Sequence, residues 1–98
     1  MNSEDNGIDD INLNDFAILL ALLDPDDKSI GRSKIKGVTK SEVSIKSKFS
    51  IAKVGQVFKN FILLGYIEEG LRKGRAKTFF ITNKGLEKIS EFKEEIII

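Results

Sequence analysis

Residues 50–70 read SIAKVGQVFKNFILLGYIEEG, and this stretch decides the fold. Its apolar residues recur at three- and four-residue spacing, which predicts an amphipathic helix. Six side chains form the predicted inward face: Val54, Val57, Phe58, Phe61, Ile62 and Leu64. Ser50 can cap the amino end of this helix, and Gly65 can end it in the left-handed conformation. The outward face carries polar and basic side chains: Lys53, Gln56, Lys59 and Asn60.

Downstream of Gly65 the pattern changes to a β-hairpin followed by another helix. The basic loop RKGRA joins two short apolar runs, and Gly74 in this loop supplies the turn residue. The predicted strands are residues 66–71 and 77–81. Thr82 or Asn83 can cap the last helix. Its apolar stripe is formed by Leu86, Ile89, Phe92 and Ile96.

Upstream of Ser50 the chain has the pattern of a helix-turn-helix unit. Thr39 and Glu42 stand at the spacing of a capping box, which opens a short helix, and residues 47–49 make the turn into the central helix. Ile35 and Val38 stand among polar residues and allow a short strand before the capping box.

A first helix is predicted at residues 14–24, which read NDFAILLALLD. Asn12 or Asn14 can cap its amino end, and Pro25 is expected to end it. The helix is apolar on nearly every side, so it is either buried in the domain or shared with a partner chain. In a chain this short, we expect complete burial within one subunit to be difficult.

Length and composition indicate one small domain, which we place at residues 11–98 after an acidic, flexible tail at residues 1–10. The chain has no cysteine and no histidine, which removes disulfides, zinc-finger ligands, thiol nucleophiles and imidazole bases. No carboxylate cluster suits catalysis, so we expect no enzyme, no cofactor and no metal site. The amino end lacks a basic signal segment, and the longest apolar run, residues 16–23, is too short to cross a bilayer. We expect a cytoplasmic protein without a membrane partner.

Charge is divided unevenly along the chain. Residues 1–27 hold eight acidic residues and no basic ones, whereas residues 28–98 hold sixteen basic and seven acidic residues. Lysine and arginine gain affinity for DNA by displacing counterions from its phosphates. Exposed lysines commonly serve only solubility, and a charged hairpin loop is commonly only a solvated turn. A helix-turn-helix, a basic helix and a basic hairpin in one chain nevertheless favour DNA binding.

Several segments resemble winged helix-turn-helix domains: the capping box, residues 50–69, the basic loop, and the ending FFITNKGLEKI. This resemblance covers residues 13–95 and implies an α+β fold with a three-helix core, a two-stranded wing and a C-terminal helix. GYIEE, RKGRAKTFFITNKGLEKI and EFK are most similar to the TubR proteins of plasmid and phage partition systems. That resemblance implies a homodimeric adaptor, which binds repeated centromere sites in double-stranded DNA and couples them to a tubulin-like GTPase filament protein.

The same resemblance implies that the amino end of the recognition helix enters the major groove and that the wing meets the minor groove. On the recognition helix the candidate DNA-binding residues are Ser50, Ala52, Lys53, Gln56 and Lys59. On the second helix and the turn they are Lys40, Lys46, Ser47 and Lys48. On the wing they are Arg72, Lys73, Arg75 and Lys77. Chemically, Gln56 suits adenine and Lys53 suits guanine.

Two other functions stay open at this point. A winged-helix protein can instead repress a promoter, and a single palindrome there would distinguish this role from an array of repeats. The fold can also serve as a protein–protein interaction module without DNA binding. The apolar first helix and the isoleucine-rich end suit such a module. The first helix and the C-terminal helix are also the expected dimer interface.

Overall fold

The computed structural model describes residues 11–97, and their side chains through residue 95. Within these residues the chain forms four α-helices and a two-stranded hairpin. The elements are α1 (Leu13–Leu20), α2 (Lys40–Ser47), α3 (Ile51–Leu64), β1 (Ile67–Glu69), β2 (Phe79–Ile81) and α4 (Asn83–Ile97). This order confirms the predicted winged helix-turn-helix. The tail predicted at residues 1–10 and the terminal Ile98 lie outside the described residues.

Each helix begins at a cap that the sequence predicts. In every case a side-chain oxygen accepts a hydrogen bond from the backbone N–H three residues further along. The capping residues are Asn12, Thr39, Ser50 and Thr82. The capping box of α2 is complete, because the Glu42 carboxylate also accepts from the Thr39 N–H at 2.8 Å. Gly65 ends α3 with φ +82°, where a Cβ would be strained.

The core is built on the inward face of α3. Val54, Val57, Phe58 and Phe61 are buried there, and further side chains close over them from the other elements. Ile62 was also predicted to face inward, but it is 47% exposed. The helix turns about 100° from one residue to the next, which carries Ile62 past the edge of the buried face.

The hairpin is antiparallel, with β1 and β2 paired from Ile67 opposite Ile81 to Glu69 opposite Phe79. Both strands are shorter than predicted. Val38 pairs with Phe79 on the other side of β2 through two backbone hydrogen bonds of 2.8 and 2.9 Å. Of the short strand predicted around Ile35 and Val38, only this bridge at Val38 forms, because the chain turns at Ile35, which is 78% exposed.

The first helix is shorter than predicted and better buried. It ends at Leu20, and the next residues continue with tighter i to i−3 bonds from Leu22 and Leu23, so Pro25 does not end it. Ile18 and Leu19 are fully buried within this chain. Leu13 and Ala17 on the opposite side stay exposed. The helix is therefore buried on one face and not all round, as expected for a chain of this length.

Candidate nucleic-acid interface

The turn between α2 and α3 sets the direction of α3. Lys48 adopts the left-handed conformation with φ +67°, and its N–H donates to the Ser44 carbonyl at 2.8 Å. The Ser44 hydroxyl donates to the carbonyl of Phe49 at 2.6 Å, which ties the end of α2 to the residue before the cap of α3. These bonds hold the amino end of α3 at the surface.

The first two turns of α3 present an outward face. Ala52, Gln56 and Lys59 are exposed and Lys53 is half-buried. The hydroxyl oxygen of Ser50 accepts from the Lys53 N–H at 3.1 Å, so Ser50 serves as the cap. This is the arrangement in which a recognition helix offers side chains to base edges.

Ile51 belongs to the same exposed turn, and sequence reasoning did not select it. It is 52% exposed, although it stands in the first turn of the amphipathic helix α3. An apolar side chain at this place can contact the methyl group of thymine. Its position directly after the cap was the signal that could have identified it.

A groove of about 210 Å³ runs between α3 and the hairpin, and we call it the α3–wing groove. Its lining residues are Lys40, Gly55, Phe58, Lys59, Ile62, Glu69, Lys77 and Phe79. Three predicted DNA-binding lysines, from α2, α3 and the wing, thus meet around one depression. The Lys40 Nζ also lies 5.8 Å from the centre of the Phe79 ring, which holds its stem against the hairpin.

The wing is a tight turn with its cations in different environments. Lys73 and Ala76 exchange two backbone hydrogen bonds of 3.0 Å, and Gly74 between them has φ +62°. Arg72 donates to the Arg75 carbonyl at 2.9 Å. Among the residues that the structure describes, Arg75 forms no ion pair.

Lys73 instead binds the acidic residue of the α2 capping box. Its Nζ lies 3.0 Å from Glu42 Oε2. Partial burial raises the pKa of Glu42, but the hydrogen bonds from Thr39 and Lys73 outweigh it, so the pKa lies below its ordinary value of 4.5. The ion pair connects the wing tip to the start of α2.

Two further candidates, Lys46 and Ser47, do not line the α3–wing groove. Lys46 Nζ donates to the Leu23 carbonyl at 2.5 Å, beyond the end of α1. The Ser47 hydroxyl accepts from the Phe49 N–H at 3.3 Å within the turn. The structure therefore brings Lys40, Lys59 and Lys77 together, whereas it directs Lys46 towards α1.

Neither a metal site nor a membrane helix occurs in residues 11–97. Among these residues, no three aspartate or glutamate side chains lie close enough together to hold a metal ion. No helix among these residues is long and apolar enough to span a bilayer.

Comparison with known proteins gives a consistent result, although no protein-family model matches the chain. The DNA-binding protein TubR of the Clostridium botulinum C phage is 33% identical over 79 residues, which covers 81% of this chain and 93% of the relative. The solution structure of the DNA-binding TubR fragment from Clostridium botulinum matches with a TM-score of 0.66 and 32% identity, over 84% of this chain and 96% of that one.

A second solved structure, a TubR of type III plasmid segregation, matches with a TM-score of 0.66 over 96% of this chain and 92% of that one. At 22% identity this likeness shows the fold alone.

Proposed function

The chain belongs to the TubR family of DNA-binding proteins, and we propose that it is a dimeric partition adaptor. In this role it binds repeated centromere sites in double-stranded DNA and links them to a tubulin-like filament protein, in the cytoplasm. We assign DNA binding and dimerisation to residues 11–98. The observation that carries the proposal is the meeting of three lysines from three elements around the α3–wing groove.

The charges and the geometry favour different residues for affinity and for base recognition. Arg75 and the lysines of the groove supply affinity, because each phosphate that they neutralise releases counterions. The exposed Gln56 and the half-buried Lys53 supply base recognition from α3. The remaining candidates on α2, the turn and the wing stay predicted contacts.

Dimerisation would give the protein two reading helices. A symmetric dimer places equivalent helices on half-sites one helical turn apart, about 10 base pairs. Leu13 at the start of α1 is 65% exposed, and the Phe16 ring stacks on Phe92 of α4 with 4.4 Å between centroids. The outward side of this helix pair is our proposed dimer surface.

A protein-binding role also has an observation in its favour. An apolar furrow at the end of α1 shares no lining residue with the α3–wing groove. Its apolar lining is formed by Leu20, Leu23, Pro25 and Ile30, and its charged residues are Asp24, Lys28, Arg32 and Lys93. A partition adaptor needs a surface for its filament partner that DNA leaves free.

Footprinting on the DNA that flanks the gene, with the molar mass measured by light scattering, tests the proposal. We expect a dimer that protects several short repeats at a period of about one helical turn. Protection of a single palindrome over a promoter would assign the repressor role instead. A protein that retains no DNA on a filter at low salt would be an interaction module without DNA binding.

A further inference from the structure

Gly55 lies inside α3, where the backbone does not need the left-handed conformation that glycine allows. Its φ is not among the positive values of the described residues. Glycine inside a helix destabilises it relative to alanine, because the unfolded chain has more conformational freedom to lose. The local conformation therefore does not require glycine.

Packing within the chain does not require glycine either. A Cβ at position 55 would meet only the end of the Lys40 side chain, with Nζ at 3.8 Å and Cδ at 3.9 Å. Both are ordinary van der Waals distances, and the lysine is flexible. Gly85 is different, because a Cβ there would collide with the carbonyl of Tyr66. Position 55 therefore lacks a Cβ even though an alanine would fit there.

Gly55 lines the α3–wing groove, where cationic and apolar side chains surround it. Lys40, Lys59 and Lys77 supply three cations there, against the single carboxylate of Glu69. Apolar side chains of the groove, such as Ile62, offer surface to a sugar ring. A strand of alternating sugars and phosphates matches both features.

We propose that Gly55 is a close-approach point for the DNA backbone, where a deoxyribose-phosphate segment lies directly against α3. This inference rests on the proposed DNA binding and adds the place at which one strand meets the protein. Without a Cβ at position 55, the strand can come nearer to the helix by about the size of a methyl group. The three lysines are then within reach of its phosphates.

The test is Gly55→Ala, with thermal unfolding and DNA affinity measured on the full chain. We expect the unfolding midpoint to rise by about 5 °C, because alanine favours the helix. We expect DNA affinity to fall at least about tenfold, because the methyl group occupies the contact. A purely structural role for Gly55 would lower stability and affinity together, and either that result or unchanged affinity would overturn the inference.

Two further variants make the result specific. Ser90→Ala, at an exposed position of α4 outside the α3–wing groove, also favours its helix. Provided that light scattering gives it the same molar mass as the unaltered protein, it should keep its DNA affinity. The Gly55→Ala change is then repeated in a Lys40→Ala background. A loss of affinity that persists there supports direct contact with DNA, whereas a loss that disappears shows that the methyl group acts by displacing Lys40, which overturns the inference.

The unaltered protein, assayed on the same DNA, separates a failure of the inference about Gly55 from a failure of the proposed DNA binding. If it binds DNA and Gly55→Ala binds equally well, only the inference about Gly55 fails. If the unaltered protein binds an acidic peptide in this groove but no double-stranded DNA, the proposed function fails together with the inference.

Discussion

Lys73, Lys46 and Lys53 show how differently lysines of one basic region are used. Lys73 is held by Glu42 at 3.0 Å, and Lys46 is held by a backbone carbonyl at 2.5 Å. The half-buried Lys53 stands on the first turn of α3 without an ion pair among the described residues. A phosphate or a base must compete with an existing partner for the first two, so Lys53 is the more direct candidate for DNA contact.

Charge reversal at Lys53 or Arg75 tests this ranking. We expect Lys53→Glu and Arg75→Glu to weaken DNA binding by at least about tenfold each, with little change in stability, since neither charge is paired within the described chain. A gel-shift titration at several salt concentrations measures the effect.

Lys28→Glu is the matched control for these reversals, because it makes the same change of charge at an exposed position of the connector after α1, outside both the α3–wing groove and the proposed dimer surface. It should weaken binding much less. If all three variants weakened binding equally, only the net charge would matter and the assigned surface would be wrong.

Glu42 makes stability depend on pH in a definite direction. Its pKa is lower in the folded protein than its ordinary 4.5. Glu42 therefore stabilises the fold above that value, and this contribution is lost as the pH falls through the folded-state pKa. Urea unfolding of the unaltered protein and of Glu42→Gln, from neutral pH to about pH 3, measures it. The difference in free energy of unfolding should shrink below pH 4.5, and a constant difference would contradict the assignment.

At the scale of elements, the helix-turn-helix is held together by local devices. The capping box of α2, the left-handed Lys48 and the Ser50 cap lie within 12 consecutive residues, 39–50. All of them are visible as residue types at fixed spacing except the conformation of Lys48. Most of this unit could therefore be predicted, whereas the strained residue in its turn could not.

Replacement of Lys48 separates strain from DNA contact. A residue with a Cβ pays about 1 kcal/mol or more in the left-handed conformation, part of which glycine recovers. We expect Lys48→Gly to raise the free energy of unfolding by about 0.5–1 kcal/mol, as measured by urea unfolding.

Lys48→Ala removes the same charge and keeps the Cβ, so it provides the control. If Lys48 contacts DNA, both variants should lose affinity equally, while only the glycine variant becomes more stable. A stability gain in both would show that the left-handed conformation is not the source of the strain.

For the whole molecule, the decisive feature is the assembly of one groove from α2, α3 and the wing. Lys40 and Lys77 are 37 positions apart in the numbering, yet they line the same depression. The pairing of Phe79 with both Val38 and β1 brings these segments together. The positions of the lysines could be read from the sequence, but their meeting depends on this pairing.

The sequence by itself determined the helix periods, the caps, the turn glycines and the absence of thiol and imidazole chemistry, because these depend on residue type and near neighbours. Only the tertiary structure decided that Ile62 is half exposed, that Val38 pairs with β2 and that Lys46 binds the end of α1. The tertiary structure also decided that no neighbouring group prevents a Cβ at position 55, where the chain has glycine. These features depend on contacts between distant parts of the chain, and a hydrophobic pattern specifies the face of a helix but not the neighbours at its edges.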